Sequence, residues 1–319
     1  MLIKQRAESG AKRRPSGSMA SEARSEAFQC YMYLILPIIG FLVLSIYPIL
    51  WSMKWSLYLY DMTPSTTKFI GLTNFIRMFT EDFTYWRMWG NTILFALLKI
   101  PFETVFTLLI ALILSNSLIR GKSFFRTMYF MPTVIGSVIV GLVFSNMFSY
   151  FGVVNECLMK LGMISEPVDW LSSRAGAYFM LVVSSIWRSF GTNVMYFMAA
   201  LANVPEELYE SARLDGASEW TMFWKITVPM IAPVLQMILL LSINGTLHTN
   251  EFIITLTNGG PAGLTHTVMS YIVSAYVPGF AQGSVNIGYG CAVSFVTSIL
   301  MAAIGVAYMK FSNRINSAY

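Results

Sequence analysis

Ser185, Arg188, Ser189 and Thr192 recur at i, i+3, i+4 and i+7 in a stretch otherwise made of Val, Ile, Phe and Met, so a helix there carries them as one polar stripe. Hydroxyls beside a guanidinium can hydrogen-bond a polyhydroxylated solute, and the guanidinium can hold a carboxylate through two parallel bonds. Asn244, His248 and Glu251 form a second stripe of the same character. Plainer roles compete. Ser and Thr in apolar helices commonly bond their own i−4 carbonyl or ease packing. An arginine at the centre of an apolar span costs about 2.5–3.5 kcal/mol and needs a counter-charge. Glu103 or Glu251 could supply it as a structural ion pair, or an anionic solute could bring it. Trp187 and Tyr196 could stack on a ring-shaped solute or simply pack.

Catalytic sets are missing. Gly121-Lys122-Ser123 has the end of a phosphate-binding loop, but the first glycine of that motif would fall at Asn116 and no strand of a parallel sheet precedes it, leaving a basic turn. No metalloprotease histidine pair, nucleophile elbow or cysteine–histidine cluster occurs, and the two histidines are His248 and His266. Cys30, Cys157 and Cys291 lie far apart with no paired spacing and read as packing residues. The chain reads as non-catalytic, with no metal or cofactor of its own.

The elements that must position the two stripes follow from composition. The 319 residues are 55% hydrophobic and 12% charged, against about 25% charged in soluble domains. Six apolar blocks are long enough to cross a bilayer, which takes roughly 20 helical residues each. They run from about Phe28 to Trp51, Asn91 to Leu114, Phe124 to Phe148, Ala175 to Leu201, Met230 to Leu256 and Val285 to Met309. Ahead of them, residues 1–27 form a basic, Ser-rich leader with Lys4, Arg6, Lys12, Arg13, Arg14 and Arg24, which reads as disordered and cytoplasmic. Between the second and third blocks the charges are Arg120, Lys122 and Arg126, and after the sixth come Lys310 and Arg314. Such all-basic connections belong in the cytoplasm, which puts both termini inside. The net charge of +5 is thereby explained by topology, and nucleic acid is excluded as its cause.

Polar or helix-breaking residues interrupt three blocks: Lys99, Pro101 and Glu103; Arg188; and Asn244, Gly245, His248, Asn250 and Glu251. Lipid-facing backbone does not tolerate such positions, so they face protein or water and the bundle surrounds a polar path. No internal repeat of fixed period is visible.

The connection over residues 204–229 is the most informative segment. Pro205 followed by Glu206 and Glu207 is a strong helix start, and Asp215-Gly216 a strong stop. A second short helix should run from about Ala217 to Ile226, with Trp220, Phe223 and Trp224 on one face, before Pro229 and Pro233 lead back into the membrane. The segment holds Glu206, Glu207, Glu210, Asp215 and Glu219 against two bases. An anionic leaflet repels that balance, which favours a protein partner over a lipid surface.

Glu210-Ser211-Ala212, Asp215-Gly216-Ala217 and Ile226-Thr227-Val228-Pro229 together resemble the Glu-Ala-Ala signature loop of the membrane subunits of ATP-binding-cassette importers, with Ser211 and Val228 as the two departures. Gly71-Leu72-Thr73-Asn74-Phe75, Phe130-Met131-Pro132, Thr257-Asn258-Gly259-Gly260-Pro261 and Tyr289-Gly290-Cys291-Ala292 are similar to carbohydrate permeases of the maltose and glycerol-phosphate type, over nearly all of the chain from residue 28 onward. The resemblance implies an all-α, six-span permease domain of the type I importer fold over residues 28–319, in a bacterial inner membrane. It implies four partners in the working complex: a second permease, two ATPases that carry ATP and Mg, and an extracytoplasmic solute-binding protein. Glu210, Ala212, Asp215, Gly216 and Ala217 become the element that couples to an ATPase. By position relative to that loop, Ser185, Arg188, Ser189 and Thr192 fall where maltose-type permeases contact their sugar, with Asn244, His248 and Glu251 facing them across the path. Arg188 favours an acidic, alginate-like oligosaccharide. A neutral oligosaccharide and, from another class, an ion-coupled secondary transporter with Lys99, Glu103 and Arg188 as relay stay open. The segment from Asn258 to Tyr276 is expected at the outer mouth, against the binding protein or as a gate.

Overall fold

Proline shapes the first helical run. Pro48 has no N–H to offer the carbonyl one turn back. The Tyr47 N–H reaches the Leu42 carbonyl instead, and a widened π turn, Leu42–Ile46, joins α1 (Ser16–Phe41) to α2 (Tyr47–Trp55) without ending the helix. The computed structural model describes residues 16–63, 65, 67–115, 121–281 and 285–316. Lys4, Arg6, Lys12, Arg13, Arg14 and Arg120 lie outside the described residues. Helix α1 begins at Ser16, ahead of the Phe28 start expected and inside the segment read as a disordered leader. Met19, Ala20, Glu22 and Ala23 are strong helix formers that carry the helix backward from the span. Its apolar part, Phe28–Trp55, is 28 residues long, enough to cross a membrane.

By their contacts the residues divide into two units, Met1–Trp55 and Ser56–Tyr319. The second opens with a small antiparallel hairpin that periodicity could not show, β1 (Tyr58–Leu59) on β2 (Lys68–Phe69). Helix α3 (Thr73–Thr80) is tied to it by Asn74, whose amide donates to the carbonyls of Ser56 at 2.8 Å and Tyr58 at 3.1 Å. The long α4 (Phe83–Ser115) follows, then α5 (Lys122–Val134), α6 (Ser137–Met147), α7 (Val153–Lys160) and α8 (Arg174–Ala202). Next come α9 (Glu206–Leu214), α10 (Glu219–Met222), α11 (Val228–Leu247), α12 (Glu251–Leu256), α13 (Val268–Tyr276) and α14 (Ile287–Asn316).

Two expected blocks take a different form. The third is not one helix: Gly136 is extended at φ −58°, ψ 143°, and Phe124–Val134 meets Ser137–Met147 at a 98° bend. Pro132 and Gly136 explain the break. The fifth stops at Leu247, and the chain restarts at Glu251 after the non-helical Asn250, whose Oδ1 accepts the Glu251 N–H. At its other end the fifth begins early. A π turn at Phe223–Thr227 carries the Val228 N–H to the Phe223 carbonyl just before Pro229, the device seen before Pro48, so Glu219–Leu247 runs as one 29-residue span. Pro229 therefore does not separate a surface helix from the span. Among the described residues, four continuous helical runs and the bent pair are apolar and long enough to cross a membrane; α8 is long enough but, with its polar stripe, is not apolar enough to join them.

Helix α8 packs along α4 and against α5, α6 and α11, while α11 also packs on α14. Phe95, Phe144, Tyr178, Leu181 and Phe252 fill one part of the core, and Ala111, Val194, Phe197, Ile231 and Ile238 another. Helices α6 and α12 touch closely: a Cβ on Gly141 would lie 2.0 Å from Thr255 Oγ1, so only glycine fits.

Candidate functional site

The apolar side of α8 anchors its opposite, polar side. Leu181, Val194 and Phe197 are fully buried, which fixes the helix rotation and turns the 188–192 face toward α4 and α11. A cavity of about 260 Å³ opens there, bounded by Lys99 and Glu103 of α4, by Arg188, Ser189, Thr192 and Tyr196 of α8, and by Ser242 and Gly245 of α11. A smaller one of about 130 Å³ adjoins Arg188 on its other side, bounded by Ser137 of α6, His248 and Asn250 of the break, and Glu251 of α12. Arg188 and Gly245 border both.

The floor of the large cavity is a polar network. Lys99 Nζ lies 3.6 Å from Glu103 Oε2 and 3.4 Å from Thr246 Oγ1. Glu103 Oε1 accepts hydrogen bonds from the Ser189 hydroxyl and, at 3.0 Å, from the Asn193 amide. Lys99, Glu103 and Asn193 are all buried. A carboxylate placed this deep persists only with a cation and donors around it, and Glu103 has both. The alternative in which Glu103 pairs with Arg188 gives way to a lysine one helical turn back on the same helix.

Arg188 is therefore left over. It makes no ion pair among the described residues, and its buried Nε has no hydrogen-bond partner. Its guanidinium carbon lies 5.9 Å from the centre of the Phe252 ring. Two cations and one carboxylate line the large cavity, so its balance is positive.

The other candidate residues sort as follows. Ser189 and Thr192 border the large cavity. Ser185 is buried, borders neither cavity, and its carbonyl takes the Ser189 hydroxyl at 2.9 Å. His248 and Glu251 border the small cavity, and Glu251 Oε2 accepts from Ser137 Oγ at 3.0 Å. Asn244 borders neither; its carbonyl meets His248 Nδ1 at 2.9 Å. Tyr196 borders the large cavity, whereas Trp187 packs on Phe144 with ring centres 5.3 Å apart. Lys99, Asn193, Ser242 and Ser137 were not among the site residues inferred from sequence. Lys99 had a signal, its i, i+4 spacing to Glu103.

The loop over residues 257–267 is tied to α4 and α8 by side chains that donate to its carbonyls. Asn91 of α4 donates to the carbonyls of Gly263 at 3.3 Å and His266 at 3.2 Å, and Tyr178 of α8 donates to Leu264 at 3.2 Å. Burial pushes the His266 imidazole below its ordinary pKa, and its Nδ1 lies 3.1 Å from Ser270 Oγ.

Residues 104–317 match the family described as "Binding-protein-dependent transport system inner membrane component". The chain belongs to this family of permeases. That membership removes the ion-coupled secondary transporter. Among similar permeases, "Lactose transport system permease protein LacF" of Rhizobium radiobacter is 32% identical over 92% of this chain and 98% of its own length. "Arabinooligosaccharides transport system permease protein AraP" of Bacillus subtilis is 29% identical over 88% of each chain. A chain of a bacterial ABC transporter "involved in the import of the acidic polysaccharide alginate" superposes with a TM-score of 0.77 at 24% identity, over 93% of this permease and 99% of that chain. That likeness is one of fold.

In this permease the 204–229 segment is a helix, a tight turn and a helix. None of the α9 residues is buried, and Glu210 is exposed. Gly216 takes φ +78°, a left-handed conformation that costs a side-chain residue about 1 kcal/mol or more. The Ala217 N–H returns to the Ala212 carbonyl at 2.9 Å, and the Ser218 hydroxyl caps α10. Asp215 ends α9, and Tyr209 ties it to Thr227 across 2.8 Å.

Proposed function

We propose that this permease imports an acidic oligosaccharide, a chain of uronates of the alginate kind. One observation carries the reading: Arg188 borders a polar cavity with no ion pair among the described residues and with its buried Nε lacking a hydrogen-bond partner, while the other cation lining that cavity, Lys99, is already paired with Glu103. Burying a cation without a partner is costly, and a carboxylate arriving with the solute offsets that cost through a charge-assisted bond of about 1.5–3 kcal/mol. Ser189, Thr192 and Tyr196 beside it suit hydroxyl groups and the apolar face of a sugar ring.

The chain works as one of two permeases in an ATP-driven importer of a bacterial inner membrane, with two ATPases and an external solute-binding protein. It crosses six times with both termini in the cytoplasm, α8 and the α5–α6 pair each counting as one span. The exposed α9 and the Gly216 turn seat on an ATPase, and closure of the ATPases moves α8 and α11, which flank the segment in sequence. The loop over residues 258–267 faces the binding protein.

The relatives named for lactose and arabinooligosaccharides favour a second reading, a neutral oligosaccharide. Arg188→Leu separates the two. In the reconstituted importer, uptake of a uronate oligomer should fall far more than uptake of its carboxyl-reduced counterpart. Equal loss of both establishes the neutral reading.

A further inference from the structure

Two carboxylates border the cavities that Arg188 lines, Glu103 the large one and Glu251 the small one. They differ in freedom. Glu103 is wholly buried and engaged by Lys99, Ser189 and Asn193. Glu251 is exposed and held by one side-chain hydrogen bond, from Ser137 at 3.0 Å, in the cavity that Arg188 also borders. A solute carboxylate on Arg188 therefore has one rival free to compete, in the cavity they share.

The frame around Glu251 allows a rotation. Glu251 is the first residue of α12, after the break at the end of α11, and Ser137 is the first residue of α6, after the 98° bend. The two half-helices touch at Gly141 and Thr255 too closely for any larger side chain, so they move together. Arg188 sits on the unbroken α8. A rotation at the two breaks would carry Glu251 and its holding hydroxyl relative to Arg188.

We propose that Glu251 competes with the solute for Arg188: held by Ser137 in this structure, it is the specificity-determining counter-ion that moves onto Arg188 to displace a bound uronate for release. This rests on the acidic-solute reading above and adds to it a device for turnover. A bare cation in a closed cavity would hold its anion too long, and a resident carboxylate supplies the exchange partner at low cost. Ser137 sets the balance by holding Glu251 away.

The test uses the intact importer in proteoliposomes with its binding protein, reading ATPase stimulation by a 1,4-linked uronate trisaccharide and by its carboxyl-reduced counterpart. Glu251→Gln should lower the half-saturating uronate concentration by roughly threefold to tenfold, the scale of one net hydrogen bond, and lower the maximal rate with it. Ser137→Ala frees Glu251 and should raise the half-saturating concentration. The neutral counterpart should respond to neither, Glu251→Asp should restore wild-type behaviour, and both shifts should vanish in an Arg188→Leu background. A loss of packing alone moves both variants in one direction and for both solutes. Shifts of the same sign, or shifts that persist without Arg188, overturn this proposal alone. An unchanged uronate-to-neutral ratio in Arg188→Leu itself overturns the acidic-solute reading and this proposal with it.

Discussion

Lys99 and Glu103 face each other one turn apart on α4, 3.6 Å between Nζ and Oε2, both buried against α8 and α11. This pair decides the electrostatics of the permease's cavity, because it consumes the carboxylate that would otherwise neutralise Arg188. It also binds three helices, since Glu103 reaches Ser189 and Asn193 and Lys99 reaches Thr246.

Breaking that pair on one side should destabilise the permease more than replacing both partners. Lys99→Met leaves a buried carboxylate without a cation, a loss on the order of 3–5 kcal/mol. Lys99→Met with Glu103→Gln removes the charge and keeps a carbonyl for Ser189 and Asn193, so most of the loss should return. Thermal unfolding midpoints of the purified complex report the difference. Equal midpoints for the single and the double variant would show that the pair carries no structural charge.

Gly216→Val should leave the permease inserted and assembled while solute-stimulated ATP hydrolysis and transport collapse. The left-handed turn at φ +78° excludes a β-branched residue, and α9 loses its angle to α10. Normal transport by an assembled Gly216→Val complex refutes the coupling role given to this segment.

The loop over residues 257–267 should weaken in acid. Burial holds the His266 pKa below its ordinary 6.5, so the unfolded loop takes up a proton that the folded loop resists. Loop stability is full above pH 6.5 and falls as pH drops below it. Amide exchange over Leu264–Thr267, corrected for intrinsic rates, should be faster at about pH 5 than at about pH 8, and His266→Phe should abolish the dependence. Identical protection at both pH values in the wild-type chain contradicts it.

Single cysteines at Leu214 and Phe151, both 90% exposed, should react from opposite sides of the membrane once Cys30, Cys157 and Cys291 are replaced by serine. Thr265 is buried, which makes it a poor reporter. Labelling of both positions by an impermeant reagent from outside would refute the six-span arrangement.

Local chemistry wrote much of this permease into its sequence. Apolar runs mark where helices cross, Pro205 with Glu206 and Glu207 opens α9, Gly216 closes it, and the 3.6-residue period puts Arg188, Ser189 and Thr192 on one face. Each depends on neighbours within a few positions. Three-dimensional packing decided what those signals leave open. Pro132 and Pro229 look alike in sequence, yet one precedes a 98° bend and the other sits in a continuous helix, where a π turn sends the Val228 N–H to the Phe223 carbonyl just ahead of the proline. The hairpin at Tyr58 and Phe69 is too short to show a period. Above all, sequence leaves Arg188 between two possible counter-charges, and only the fold awards Glu103 to Lys99. Ion pairing in an apolar interior is settled by distances of a few ångströms between helices, and these arise when the whole core packs, long after any single segment has its helix.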